Sequence, residues 1–293
     1  MLHSGGAMDL WYTEKVDGSV GITIKIKSHL FHHQSSYQTI DIFDTAFYGK
    51  LMVIDGVVML TEEDEFVYHE SLTHTPLGWI KYPKRVLIIG GGDGGTAREA
   101  LRYPSLEEVV LVEIDREVIN ASKKYFPNLS SSFSDERLNL VIQDGARFVK
   151  ESKKSFDVII VDSTDPVGPG KVLFSEEFYR DCAAILREGG ILTAQTESPF
   201  DRTNRPVIRN IYARLRNVFR HTHMYLASIP TYPFGLWSFA FASNSINPLK
   251  TPPIAEYVPQ RLKYYNREYA RHAFALPNFV KEIITEGDRS KEM

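Results

Sequence analysis

Residues Arg85-Val86-Leu87-Ile88-Ile89-Gly90-Gly91-Gly92-Asp93-Gly94-Gly95 decide the fold. The apolar run does not alternate, as expected of a strand buried on both faces, and it stops at a glycine-rich turn. Three more such runs follow: Val109-Val110-Leu111-Val112-Glu113-Ile114, Leu138-Asn139-Leu140-Val141-Ile142 and Phe156-Asp157-Val158-Ile159-Ile160-Val161. Stretches with helical character separate them, at 96–102, 116–125 and 146–150. Strands alternating with helices predict βαβ units, hence an α/β fold with a parallel sheet. A fifth strand over 190–195 is expected after a helix over 176–186, then two more over 224–229 and 236–242. A helix over 64–79 precedes the first run, and its acidic first turn suits the positive end of a helix dipole.

The residues before that helix read differently. Val20 to Lys27 alternates apolar and polar side chains, and Tyr37 to Phe43 does so again. Asp55-Gly56 stands between the apolar runs 51–54 and 57–60, a strong hairpin signal because a type I′ turn needs φ > 0 at both central residues. A small antiparallel sheet of five or six strands is expected, giving an N-terminal β-strand domain over 1–62 and a Rossmann-like α/β domain over 63–293.

Bulk composition narrows the class. Of 293 residues, 43% are hydrophobic, enough for a sizeable core. The 34 basic and 37 acidic residues leave a net charge of −3, so no nucleic-acid partner is expected. No apolar run approaches the length of about 20 residues that spans a bilayer, and the first ten residues lack the basic and apolar regions of a signal peptide. Met8 would serve as well as Met1 as a start. The single cysteine, Cys182, excludes an intrachain disulfide framework and fits a reducing cytoplasm.

Ligands of open parallel sheets bind beyond the carboxyl ends of the strands. Each expected strand end here carries an acid: Asp93 in the glycine turn, Glu113, Asp144 before Gly145, and Asp162-Ser163-Thr164-Asp165. Clustered carboxylates repel one another, so a ligand rich in hydroxyls and positive charge would relieve them. Gly90-x-Gly92-x-x-Gly95 matches the dinucleotide fingerprint, and Glu113 stands where a ribose-binding acid belongs. The alternative is a tight strand-to-helix turn with no ligand, which five glycines in six positions disfavour. Asp93 would repel a pyrophosphate, which disfavours a dinucleotide and favours a sulfonium nucleoside. Asp144 is placed to accept from an adenine amino group, or else forms an ordinary Asp-Gly turn. Asp93 would also repel the carboxylate of ordinary S-adenosylmethionine, whereas the decarboxylated compound offers it an ammonium.

The motifs GGGDGG, VEID, QDGARF and VDSTDPVGP, with DGVVMLTEEDEF, DEFVYHE and IPTYP, together resemble spermidine synthases and the wider polyamine aminopropyltransferase family. The likeness runs from Trp11 over nearly the whole chain. It implies a methyltransferase-like Rossmann-type sheet with helices on both faces, preceded by the antiparallel β domain, and a homodimer or homotetramer. It implies that Gln38, His69, Asp93, Glu113, Asp144 and Gly145 hold the nucleoside donor or line its aminopropyl end. Asp162 matches the proton acceptor, with Ser163 and Thr164 beside it. Asp165 would bind the far ammonium of the polyamine, Tyr68 and Tyr232 would wall its channel, and Pro169 lies in a covering loop. His69 follows the bacterial form of its motif; animal members usually have Gln.

The reaction so implied is displacement at carbon. An alkylamine with a pKa near about 10 arrives protonated and must lose that proton to attack; Asp93, Asp165 and exclusion of water should raise Asp162 toward a useful base. No prosthetic group and no metal is expected. His29, His32 and His33 lie in a surface β segment with no cysteine or acid at a matching spacing. His221 and His223 read as strand-edge residues, and Tyr264, Tyr265, Tyr269 and Phe274 as packing. Trp11 caps the acceptor channel or only packs, and Glu197 is a candidate further acid. Putrescine is the default acceptor; cadaverine, agmatine, diaminopropane and spermidine remain open, with pocket depth set by residues such as Glu197, Pro199 and Phe234. The rival readings are an S-adenosylmethionine-dependent methyltransferase, a non-catalytic nucleoside-binding protein and a nicotinamide dehydrogenase.

Overall fold

The computed structural model describes residues 9–164 and 168–289. Five strands come first: β1 (Leu10–Val16), β2 (Val20–Gln34), β3 (Thr39–Thr45), β4 (Lys50–Ile54) and β5 (Val57–Thr61). They pair in sequence order as one antiparallel sheet. Asp55 and Gly56 have φ of 50° and 82°, the left-handed pair that the Asp-Gly signal requires. β1 lies outside the elements read from the sequence, and β2 continues past Lys27 to Gln34 through two register shifts.

α1 (Glu65–Leu77) leads to the second sheet. There follow β6 (Arg85–Gly90), α2 (Gly95–Leu101), β7 (Glu108–Glu113), α3 (Arg116–Tyr125), α4 (Pro127–Ser130), β8 (Leu138–Ile142), α5 (Gly145–Glu151) and β9 (Phe156–Asp162). Then come α6 (Glu176–Ile185), β10 (Leu186–Gln195), α7 (Arg205–Val218), β11 (His221–Ser228), β12 (Leu236–Ser243), α8 (Arg267–His272) and α9 (Asn278–Arg289). The sheet order is β11-β12-β10-β9-β6-β7-β8. β6 to β10 are parallel, whereas β12 and β11 return antiparallel. β10 starts at Leu186 rather than Gly190, with an irregularity before Ile191.

Successive residues of β6 go to opposite faces. Val86 and Ile88 pack with Leu72 of α1, Ala97 of α2 and Phe274; Leu87 and Ile89 pack with Phe178 of α6, Ile208 of α7 and Val280 of α9. Helices on both faces therefore explain why these strands do not alternate. A third cluster joins the two sheets, setting Ile40, Ile42, Met52 and Ile54 against Val118 and Ala121 of α3. No helix among the described residues is long and apolar enough to cross a membrane.

The chain runs outward from β6 to β7 and β8, then returns to β9 on the other side of β6. Such a reversal leaves a crevice beyond the strand ends, and Gly90 pairs with Asp162 across it.

α1 is buried from Val67 to Leu77. Its Glu70 carboxylate accepts the backbone N–H groups of Lys263, Tyr264 and Tyr265 at 2.9, 2.8 and 2.8 Å, anchoring the segment before α8. Glu70→Ala removes all three charge-assisted bonds, and its expected cost is about 3 kcal/mol. Urea unfolding would show it as a lowered midpoint at unchanged slope, with Glu70→Gln intermediate; an unshifted midpoint would refute the anchoring role.

Candidate active site

The crevice opens into a cavity of about 620 Å³. Gln38, Tyr68, His69, Asp93, Glu113, Asp144, Gly145, Asp162, Ser163, Thr164 and Tyr232 all line it. Asp165 lies outside the described residues. Pro169 falls within a 3-10 turn, Gly168–Phe174, whose Gly170, Val172 and Leu173 also reach the cavity.

Asp162 stands at the end of β9, on the cavity wall. Its Oδ1 accepts the Tyr68 hydroxyl at 2.8 Å and its Oδ2 the Thr96 hydroxyl at 2.6 Å. Burial, then the nearby Asp93 carboxylate, push the Asp162 carboxyl above its ordinary range, against the pull of His69 and the two hydroxyls. Asp93 moves the other way. Burial would raise it, but His69 and the Gly95 N–H hold it below the usual carboxylate range. His69 is the pivot, with Nδ1 2.6 Å from Glu65 Oε2 and Nε2 3.2 Å from Asp93 Oδ1. Burial alone would lower its pKa; the two carboxylates outweigh that and lift it to about 10. Arg98 in turn grips both oxygens of Glu65 at 2.9 Å.

His69, Asp93 and Asp162 offer ligand atoms within 4.8 Å of one another. They do not fit a metal, because an imidazolium donating from both nitrogens to carboxylates has no lone pair to give.

The glycine turn lies directly on these groups. Gly90 has φ +84°, and a Cβ there would sit 2.0 Å from the Asp162 carbonyl oxygen. At Gly95 a Cβ would meet the His69 ring at 2.4 Å. The glycines thus let the backbone approach the site's own side chains.

Glu113, at the end of β7, accepts the Asp115 N–H at 2.9 Å. Burial, with help from the Asp115 charge, pushes it up to about 7 although backbone N–H groups pull it down. Asp115 itself caps α3 and takes Ser35 Oγ at 2.7 Å and Gln38 Nε2 at 3.1 Å, carrying the N-terminal sheet to the cavity. Asp144 Oδ1 caps α5 through the Arg147 N–H at 2.9 Å, with Gly145 as the first helical residue, and the pair lines the cavity. Tyr232 donates to the Met59 carbonyl at 2.6 Å.

Several wall residues escape the sequence reading. Glu14, Gln195, Asp201 and Asn204 extend the cavity's polar lining. Glu65 had a usable signal, since it stands one helical turn before His69; Arg98 and Thr96 had none beyond adjacency to the glycine turn. Glu197 and Phe234 lie on the wall. Pro199 does not; its carbonyl accepts from Arg205. Trp11 is also off the wall and is 54% exposed.

Comparison with known proteins points to one family. Residues 65–251 match the spermine/spermidine synthase domain, and residues 10–62 match the spermidine synthase tetramerisation domain. The chain is similar to a polyamine aminopropyltransferase of Alkaliphilus metalliredigens, 47% identical over 96% of this chain and 100% of that one. One from Clostridioides difficile is 46% identical over 95% and 100%. Among solved structures, a spermidine synthase in complex with the transition-state analogue AdoDATO superposes with a TM-score of 0.90 at 45% identity, covering 94% of this chain and 95% of that one. Spermidine synthase from Thermotoga maritima does so at 0.87 and 44%, covering 94% of each chain.

Glu113 gives a pH test. Folding lifts its pKa from 4.5 to about 7, so the folded state keeps a proton that the unfolded chain loses within that window. The associated stability is full below about 4.5 and is lost as pH rises through about 7. Glu113→Gln stays neutral, so its stability relative to wild type should improve on the order of 3 kcal/mol between pH 4 and pH 8. Equal differences in urea midpoint at both pH values would refute the shift.

Proposed function

The chain belongs to the spermine/spermidine synthase family of polyamine aminopropyltransferases, and we propose that it moves the aminopropyl group of decarboxylated S-adenosylmethionine onto putrescine, giving spermidine and 5′-methylthioadenosine. One observation carries the reading: Asp93 and Asp162, in a single cavity, have pKa values displaced in opposite directions. Environments that separate two like acids assign them different work. Asp93, held ionised, suits an ammonium, and Asp162, raised, suits a base.

The donor would lay its ribose diol on Glu113, its adenine toward Asp144 and Gly145, and its aminopropyl ammonium toward Asp93 and His69. Gln38 would close the nucleoside side. The acceptor would enter along a channel walled by Tyr68 and Tyr232, its far ammonium toward Asp165. Asp162, with Ser163 and Thr164 beside it, takes one proton from the near ammonium. The freed nitrogen lone pair attacks the methylene next to sulfur. The carbon–sulfur bond breaks with its electrons going to sulfur, and neutral methylthioadenosine leaves. Positioning within one closed cavity supplies much of the acceleration, and the carboxylates stabilise positive charge developing on nitrogen. This scheme requires no prosthetic group. Asp93 beside the donor's tail also disfavours ordinary S-adenosylmethionine.

The match to a tetramerisation domain, with Leu10, Trp11 and Val20 exposed on the N-terminal sheet and Phe47 exposed just beyond β3, supports a homo-oligomer. The free, buried Cys182 suits a reducing cytoplasm.

An acceptor panel tests the assignment. With decarboxylated donor, putrescine should outrun cadaverine, agmatine and spermidine in product detected by mass spectrometry. Asp162→Asn should lower kcat by about 10²-fold or more with little change in donor KM. Preference for another amine would overturn the acceptor, and an unimpaired mutant would overturn the base.

A further inference from the structure

A second polar cluster lies away from the cavity, on the N-terminal sheet. His29 and His32 of β2 are three positions apart, so in an unbroken strand they would face opposite sides. β2 is not unbroken. His29 pairs with Phe43 and Phe31 with Ile42, leaving Leu30 as an extra residue. A bulge of this kind shifts the alternation by one, and it brings both imidazoles to the same face. Directly opposite His32 on β3 stands Asp41. The fold thus supplies from a neighbouring strand the acid that no sequence spacing provides.

The three side chains converge. His29 Nε2 and His32 Nδ1 each lie 2.8 Å from the same oxygen, Asp41 Oδ1. One donor atom from each residue falls within 4.8 Å of the other two. The His29 ring is fixed by stacking on Phe43, with centroids 4.5 Å apart and planes at 23°. Asp41 is mostly covered, with 18% of its side chain exposed, while the imidazoles are open to solvent at 45% and 60%. His33 does not join them. It stacks with Phe31 and approaches Glu117 of α3 at 4.0 Å, on the opposite face of the sheet.

We propose that His29, His32 and Asp41 form a surface site for a divalent transition-metal ion of the zinc class. Two imidazole nitrogens and a carboxylate oxygen are a borderline donor set that zinc accepts, with water completing the tetrahedron. On binding, the inward nitrogens release to solvent the protons they donate to Asp41 and bind through their lone pairs, and each neutral ring then carries its proton on the outward nitrogen. Donors now 2.8 Å from a shared oxygen need only small side-chain rotations to surround an ion at about 2.0–2.2 Å. The ion would clamp β2 to β3.

Untagged, chelator-stripped protein in its native oligomeric state provides the test, with zinc chloride as probe in calorimetric titration. Wild type should bind one zinc ion per chain, and its Tm should rise with added zinc. His29→Ala/His32→Ala, and separately Asp41→Asn, should lose that site, with at least a tenfold fall in affinity and no zinc-dependent rise in Tm. Circular dichroism and aminopropyl transfer serve as controls of the fold. Cobalt(II) should give a visible ligand-field band in wild type that the double variant lacks. No binding by wild type below about 100 μM zinc, or equal binding by wild type and the double variant, would overturn the site.

Discussion

Arg98, Glu65, His69, Asp93 and Asp162 form a line of groups whose charges alternate until the last two, where the alternation breaks. Burying an isolated ion costs several kcal/mol, and only close pairing offsets it. Each group up to Asp93 is therefore tolerable because its neighbour carries the opposite sign. The members come from α1, α2, the turn after β6 and the end of β9, so the line fixes those four pieces relative to one another. The glycine turn serves the same constraint, since only glycine at 95 leaves room for the His69 ring.

The N-terminal sheet is part of this arrangement rather than an appendage. Through Ser35 and Gln38 it meets Asp115, whose backbone N–H also steadies Glu113. Through the Met59 carbonyl it holds the Tyr232 hydroxyl. Asp64, between the two sheets, accepts both the backbone N–H and the hydroxyl of Thr231, at 3.0 and 2.6 Å. The loop carrying Tyr232 is thus tied on both sides of the cavity mouth. An exchange of the first sheet would disturb the cavity even if the second sheet folded unchanged.

Much of the fold was legible because strands buried on both faces write themselves as unbroken apolar runs, and Asp55-Gly56 wrote its turn conformation directly. β1 was missed although Asp17-Gly18 carries the same signal at φ 51° and 65°. α7 was missed although Ile208, Ile211, Tyr212 and Leu215 keep helical spacing and are buried. The bulge at Leu30 is different. Nothing in His29-Leu30-Phe31-His32 announces a change of face, because a bulge is set by pairing with β3. In the site, the acids at strand ends could be read from topology alone. Thr96 and Arg98 could not, because their roles depend on the approach of α2 to β9 and α1.

The same two-sided chemistry explains why Asp162 is held by hydroxyls rather than by a cation. Tyr68 and Thr96 donate to both of its oxygens and so fix its orientation, yet as neutral groups they add no full charge. An imidazolium in either place would stabilise the carboxylate far more and lower its affinity for a proton. The site instead pairs His69 with Asp93, and its charge reaches Asp162 only at longer range, where it is outweighed by burial and by Asp93. Orientation without ionic stabilisation is what a carboxylate needs if it is to be both placed and basic. That requirement sets where in this cavity the one buried imidazolium among the described lining residues can stand.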